Sequence, residues 1–197
     1  MKRVKQYIFL LIVILLTTSF VHKDLNEYGK WLKFYNLIDE DFKQVGVDIQ
    51  IKLEYKPFDM TTEDKKLYDS LFFYSPDLTY FLDLYSYGII IDKDSKGNLT
   101  LGGGDPESKV QLVIKKKLSA ATLLFFGTSG FTETAIWRNK FLFEIMGFQI
   151  SNGKYIPTIW KFDLEKMVYK VFESKKTFNK RPNSYLIENR FKAIKEK

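Results

Sequence analysis

The sequence predicts a mainly β protein with minor α content, whose antiparallel sheets form a sandwich or a partial propeller of about two blade-like units. Aromatic side chains make up 17% of the 197 residues, and with Ile and Val they suit a pleated, half-buried surface. Apolar and polar residues also alternate strictly from Val47 to Tyr55, as in a strand with one buried face. One or two N-terminal helices and a short C-terminal helix complete the predicted fold.

The first 21 residues are typical of an export leader. A basic start from Met1 to Lys5 precedes an apolar run that begins at Tyr7. With its trailing Thr and Ser residues this run is about 15 residues long, below the roughly 20 that span a bilayer. We therefore predict a signal peptide or N-terminal membrane anchor over 1–21. Residues 22–197 are predicted to form a single mainly β domain, exported to the periplasm or the cell surface.

The composition argues against several classes of function. The chain has 31 basic side chains, three of them in the leader, which leaves 28 against 24 acidic ones, or +4. A charge of this size serves solubility and predicts no nucleic-acid partner. Cys is absent and His22 is the only histidine, so we expect no disulfide, no lipidated cysteine and no zinc site. No cofactor or metal is predicted, and membrane contact is expected only through an uncleaved N-terminal segment.

The N-terminal half is predicted to contain two helices around one strand. Apolar spacings of three and four favour an amphipathic helix over 22–45, which Gly29 weakens. The strand from Val47 to Tyr55 follows. Thr61 is predicted to cap a second, short helix that has acidic residues in its first turn, and Pro76 closes that segment.

The remaining elements are predicted to be strands joined by turns, followed by a helix. The strand ranges are 79–87, 88–91, 110–114, 122–126, 136–148, 156–162 and 167–172. The segment from Gly102 to Pro106 is expected to be irregular, because consecutive glycines are costly inside a strand. Residues 127–134 are expected to form a loop. A surface helix is predicted from Ser184, with Asn183 or Ser184 as its cap.

Two parts of the chain resemble blades of a β-propeller of the TolB or WD-repeat kind. Tyr74-Ser75-Pro76-Asp77 is similar to the turn that precedes a blade strand. Trp137 to Phe143 resembles an inner strand, and Ile159 to Lys166 resembles an outer hairpin. The resemblance implies about two blade-like units, whereas a closed propeller needs at least four. It implies a scaffold for binding and names no reaction.

Motifs for catalysis and ion binding are incomplete. His22 follows the leader and lacks the rigid setting of a general base. Asp92 to Asn98 resembles a calcium loop at its first, third and sixth positions. However, Lys96 occupies position five and Gly103 occupies position twelve, where a calcium loop has ligands. The glycines at 102–104 and 127–130 lack a Walker lysine and a Rossmann spacing. We therefore predict turns and loops at these places, and no catalytic residue.

The candidate binding residues are Trp137, Trp160, Asp105 and Glu133. Tryptophan rings can stack on sugars or peptides, although in a β core they more often pack. A functional site is expected in the irregular segments Gly102 to Ser108 and Gly127 to Thr134, which the sheet-forming repeat does not require. The basic residues of the C-terminal helix are predicted to form a solvated face, with anionic lipid or a partner as the alternative contact.

These observations favour a non-enzymatic binding or structural module of the bacterial cell envelope, whose partner is another envelope protein or a glycan. A related possibility is an inhibitor or immunity-like partner of another exported protein. The alternative from another class is a carboxylate-based hydrolase of envelope glycans or peptides. The acids available for that reaction near the predicted sheet are Asp77, Asp83, Glu133 and Glu144.

Overall fold

The structure is a computed structural model that describes residues 27–97, 99–103 and 107–191. It confirms the mainly β fold class, with antiparallel pairing in two five-stranded sheets and one two-stranded hairpin. The predicted leader and His22 lie outside the described residues. Among the helices that the structure does describe, none is long and apolar enough to cross a membrane.

Twelve strands lie within the described ranges. They are β1 (Phe42–Gln50), β2 (Lys56–Pro57), β3 (Phe73–Tyr74), β4 (Tyr80–Asp83), β5 (Ile89–Lys93), β6 (Leu99–Gly103), β7 (Ser108–Ile114), β8 (Ser119–Phe126), β9 (Gly130–Trp137), β10 (Leu142–Ser151), β11 (Lys154–Asp163) and β12 (Val168–Ser174). Sheet A has the order β1-β12-β11-β10-β9, and sheet B has the order β2-β8-β7-β4-β3. The hairpin β5-β6 shares no strand pairing with either sheet among the described residues.

Helical residues make up a small part of the described chain. Helix α1 covers residues 27–34, and helix α2 covers Thr62–Tyr68. Thr61 caps α2 as predicted, since its side chain accepts a hydrogen bond from the Asp64 backbone N–H at 3.1 Å. Single 3₁₀ turns occupy Asp39–Asp41 and Asp69–Leu71. The C-terminal helix is a π-helical turn over Leu186–Phe191, and its two end residues are buried.

Sheet A is the central layer of the molecule. On β10, Phe143 and Ile145 belong to the core that sheet A shares with sheet B. Met146 and Phe148 belong to a second core, formed with α1 and Tyr185. Because both faces of β10 and β11 are covered, these strands read as nearly continuous apolar runs.

The first helix ends earlier than predicted, because a helix-terminating motif ends it before β1 begins. Asn36 adopts a left-handed backbone with φ 53°. The Asn36 N–H then donates to the Lys33 carbonyl at 3.1 Å, and the Leu37 N–H donates to the Leu32 carbonyl at 2.8 Å. This is the Schellman arrangement, in which a left-handed residue turns the chain out of the helix.

Several predicted strand boundaries were wrong. β1 ends at Gln50 rather than at Tyr55, and an irregularity in its pairing with β12 lies between Val45 and Ile49. Gly102 and Gly103 lie in β6 rather than in an irregular insert. Gly102 suits its place because the paired strand lies close to it. An added Cβ there would lie only 3.3 Å from the Cβ of Ile90.

The segment predicted as one strand over 136–148 is the end of β9, a turn, and most of β10. The turn contains no Gly or Pro, so it was not recognised as a break between two strands. The side chain of Asn139 closes it by accepting the Phe141 and Leu142 backbone N–H groups, both at 2.8 Å. The start of β9 was not predicted, because the segment from Gly127 to Thr134 contains two glycines and is mostly polar, and so most of the loop predicted over 127–134 is strand.

Candidate functional site

The candidate site is a cleft of about 620 Å³ beside the outer edge of β9. The β5-β6 hairpin and residues 181–187, which lead into the C-terminal turn, form its other walls. Its volume falls within the roughly 300–1,000 Å³ of typical ligand pockets. The lining residues are Leu84, Tyr85, Gly88, Ile89, Leu101, Gly102, Glu107, Ser108, Phe131, Thr132, Glu133, Arg181, Pro182, Ser184, Leu186 and Ile187.

The cleft joins the two segments in which the sequence predicted a functional site. Gly102, Glu107 and Ser108 come from the first of them, and Phe131 to Glu133 come from the second. The C-terminal wall was not expected, because Arg181 was among the basic residues assigned to a solvated face, with anionic lipid or a partner as the alternative contact. Residues 181–187 lie about fifty positions from β9 in sequence, so no local pattern links the two. That this cleft binds a ligand stays a prediction.

A β-bulge sets the direction of the Glu133 side chain. On β9, Thr132 pairs with Gly147 of β10 and Thr134 pairs with Met146, so Glu133 is an extra residue between them. The side chains of Glu133 and Thr134 consequently both reach the α1 side of sheet A. Gly147 makes the bulge possible, since a Cβ there would lie 2.2 Å from the Phe131 carbonyl oxygen.

Glu133 is a buried acid, 1% exposed, with a partner for each of its oxygens. Oε2 accepts from Trp31 Nε1 at 3.1 Å and from the Tyr35 hydroxyl at 2.6 Å. Oε1 accepts from the Tyr185 backbone N–H at 3.1 Å. Burial raises the pKa of Glu133, and these hydrogen bonds offset only part of that effect. Glu133 therefore fastens α1 and the C-terminal segment to sheet A.

A further hydrogen bond holds the edge of β9 at the same residue. The hydroxyl of Tyr85 donates to the backbone carbonyl of Glu133 at 2.6 Å. The loop after β4 is thus tied to the strand that carries the cleft. Both contacts make this wall of the cleft a fixed surface.

The other three acids considered for hydrolysis also have partners in the fold. Asp83 accepts from the backbone N–H groups of Tyr85 at 3.1 Å and Ser86 at 3.0 Å, and from the Ser86 hydroxyl. Asp77 accepts from the Ser75 hydroxyl at 2.8 Å and the Thr79 N–H at 3.1 Å. Glu144 pairs with Arg138 at 2.6 Å and Lys161 at 3.3 Å. Burial raises the pKa of Asp83, and its role is to close the turn after β4.

Trp137 and Trp160 lie in the core between the sheets. Trp137 is 4% exposed, and its Nε1 donates to the Phe73 carbonyl at 2.8 Å. Trp160 is 2% exposed and packs against Phe126, with ring centroids 5.1 Å apart. Neither ring is presented to solvent, so packing is the role their positions support. Asp105 lies outside the described residues.

Arg181 carries the cation of the cleft. Its guanidinium lies over the ring of Phe131, 4.8 Å from the centroid. It makes no ion pair with any carboxylate that the structure describes. Glu107, which also lines the cleft, accepts from the Tyr87 hydroxyl at 3.2 Å. The free cation at this site is therefore on the C-terminal wall.

The calcium-like segment from Asp92 forms the turn between β5 and β6. Asp94 Oδ1 accepts the Lys96 N–H at 2.8 Å, and the Asp94 carbonyl accepts the Gly97 N–H at 2.9 Å. Gly97 has the left-handed φ of 83° that such a turn favours. Within the described part of the chain, no three His, Cys, Asp or Glu side chains are grouped to hold a metal.

Comparison with known proteins finds no matching protein family, no matching curated protein and no matching solved structure. The resemblance to propeller blades accordingly stays a prediction.

Proposed function

We propose that this protein is an exported, non-enzymatic binding module of the cell envelope and that its ligand binds in the cleft beside β9. The observation that carries the proposal is the cleft itself, in which apolar walls surround a few polar groups. Ligand sites commonly have this composition, because apolar contacts supply affinity and isolated polar groups fix orientation. The leader over 1–21 supports export.

The partners of the acids favour binding over hydrolysis. Glycoside hydrolysis needs one carboxyl that can donate a proton and a second that acts as base or nucleophile across the substrate. The two acids with raised pKa, Asp83 and Glu133, already accept hydrogen bonds from neighbouring backbone or side-chain groups. Their surroundings explain these shifts without a catalytic role.

Native mass spectrometry of the protein, purified in the form that cells accumulate, tests cleft binding. Wild type and Ile187→Arg are incubated with an extract of envelope small molecules. Ile187 lines the cleft and is 55% exposed, so the substitution blocks the cleft without disturbing the core. Leu78→Arg is the control, because Leu78 is similarly exposed in a turn away from the cleft.

Wild type and Leu78→Arg are expected to retain a noncovalent adduct that Ile187→Arg does not retain. The released ligand should have the mass it had before binding. Equal retention by all three proteins would show that the cleft is not the site, and release of a cleaved product would favour the hydrolase.

The intact mass of the exported protein tests the leader. A product beginning near Phe20 indicates cleavage, and the full-length mass in the membrane fraction indicates an anchor. Full-length protein retained in the cytoplasm would contradict the proposed export.

A further inference from the structure

The charged side chains around the cleft differ in whether they already have hydrogen-bond or ion-pair partners. Glu133 accepts hydrogen bonds from Trp31, Tyr35 and Tyr185. Glu107 accepts one from Tyr87. Arg181 has the Phe131 ring beneath it and no described carboxylate within ion-pair distance. An incoming ligand therefore meets acids that are already engaged and a guanidinium whose donors are available.

The walls next to this cation are apolar. They are formed by Leu84, Ile89, Leu101, Leu186 and Ile187. Of these, Ile187 is 55% exposed, although it belongs to a turn whose end residues are buried. An exposed branched side chain beside other aliphatic groups favours burial by an aliphatic ligand.

Thr132 supplies a second polar feature of the same cleft. It is 6% exposed, and its Oγ1 is buried without a hydrogen-bond partner among the described residues. Buried hydroxyls are normally paired, so one without a partner beside a cleft calls for an explanation. Thr132 therefore places an unused hydroxyl directly behind the wall of the cleft.

We propose that the cleft binds a single-chain aliphatic carboxylate, with Arg181 contacting the head and the aliphatic wall around Ile187 contacting the tail. This proposal rests on the proposed cleft-binding function and gives it a ligand class. A carboxylate has two coplanar oxygens that match the parallel N–H groups of a guanidinium. The tail removes apolar wall from water, which a glycan with its many hydroxyl groups would do less effectively.

Titration with three probes that share one tail tests the head group. The probes are decanoate, decanol and decyltrimethylammonium, each below the concentration at which it forms micelles. Wild type is expected to bind decanoate about tenfold more tightly than decanol, the size of one charge-assisted contact. It should bind the cation most weakly. Decanol binding as tight as decanoate, or tighter binding of the cation, would overturn the proposal.

Two charge variants test whether Arg181 causes the preference for decanoate over decanol. Arg181→Gln should bind decanoate and decanol equally. Lys180→Gln is the matched control, because Lys180 is the neighbouring exposed cation and does not line the cleft. It should keep the wild-type preference. Equal effects of the two substitutions would show that the preference reflects net charge rather than contact with Arg181.

A tail variant separates this proposal from the function on which it rests. Ile187→Asn should weaken decanoate and decanol by a similar factor, about three- to tenfold. Equal wild-type affinity for decanoate and decanol, with both weakened by Ile187→Asn, leaves cleft binding intact and removes the carboxylate class. Absence of all probe binding, together with absence of an adduct from envelope extract, contradicts both proposals.

Discussion

Glu133 fixes three parts of the chain from a position that carries no local motif. The sequence suggested it as a binding residue within a loop. In the structure its partners Trp31 and Tyr185 lie 102 and 52 positions away. Periodicity and turn signals describe only neighbouring residues. The contacts by which Glu133 holds α1 and the C-terminal segment to sheet A were therefore not predictable. What the sequence did reveal was that this segment borders a candidate site.

Truncation of Glu133 should be strongly destabilising. Glu133→Ala leaves the Trp31 indole N–H without its acceptor and opens a cavity. We expect a loss of about 2–4 kcal/mol in the free energy of unfolding. Urea denaturation measures it, with Glu165→Ala as the control. Glu165 is exposed in a turn, and its loss should change stability by less than about 0.5 kcal/mol. Similar losses of stability from both substitutions would contradict the role of Glu133 in holding α1 and the C-terminal segment to sheet A.

The buried position of Glu133 also predicts a pH dependence. The folded state raises the pKa of Glu133 above its unfolded value of about 4.3, because burial disfavours the carboxylate. Between those two pKa values the folded protein binds the extra proton, so stability falls as pH rises. Glu133→Gln removes this titration. Wild type should therefore lose stability relative to Glu133→Gln as pH rises above about 4.3. A stability difference that is constant with pH would contradict the assignment.

Helix and strand types were easier to predict than their ends. The capped helix after Thr61 and the hairpin of β7 and β8 follow from local capping and alternation, and both are present. The end of α1 depends on a left-handed Asn36, and β9 depends on a bulge packed against Gly147. Neither feature leaves a distinctive local pattern, because Asn also occurs inside helices and the segment 130–134 is mostly polar and begins with Gly.

Two glycine substitutions test the close packing of β9 and β10. In Gly147→Ala the new Cβ would lie 2.2 Å from a backbone oxygen, so the strands must separate. We expect a loss of more than about 3 kcal/mol. Gly29→Ala is the matched control, since no atom lies within 4 Å of its added Cβ in α1. It should gain about 0.5–1 kcal/mol from helix propensity. Urea midpoints of the two variants should thus move in opposite directions, and equal losses would contradict the packing.

At the scale of the whole molecule, the sequence predicted antiparallel sheets packed face to face, and the structure confirms that class. The prediction succeeded because the aromatic content indicates buried sheet faces. The alternation from Val47 to Tyr55 was a poorer guide, because β1 is mostly exposed and Val47 is 81% exposed. The sequence indicated two segments that border the cleft, Gly102 to Ser108 and Gly127 to Thr134, but not that they meet residues 181–187. These parts of the chain meet only through tertiary packing. The site therefore became visible only in the folded chain.

The most direct test of cleft binding is a methyl NMR titration of the exported protein with decanoate. We expect saturable shifts at Ile89, Leu101 and Ile187, which line the cleft. The exposed methyls of Leu78 and Val47 should stay unchanged, because they lie elsewhere on the surface. Shifts centred on Leu78 or Val47, or no shift at the cleft when decanoate is saturating, would contradict the account.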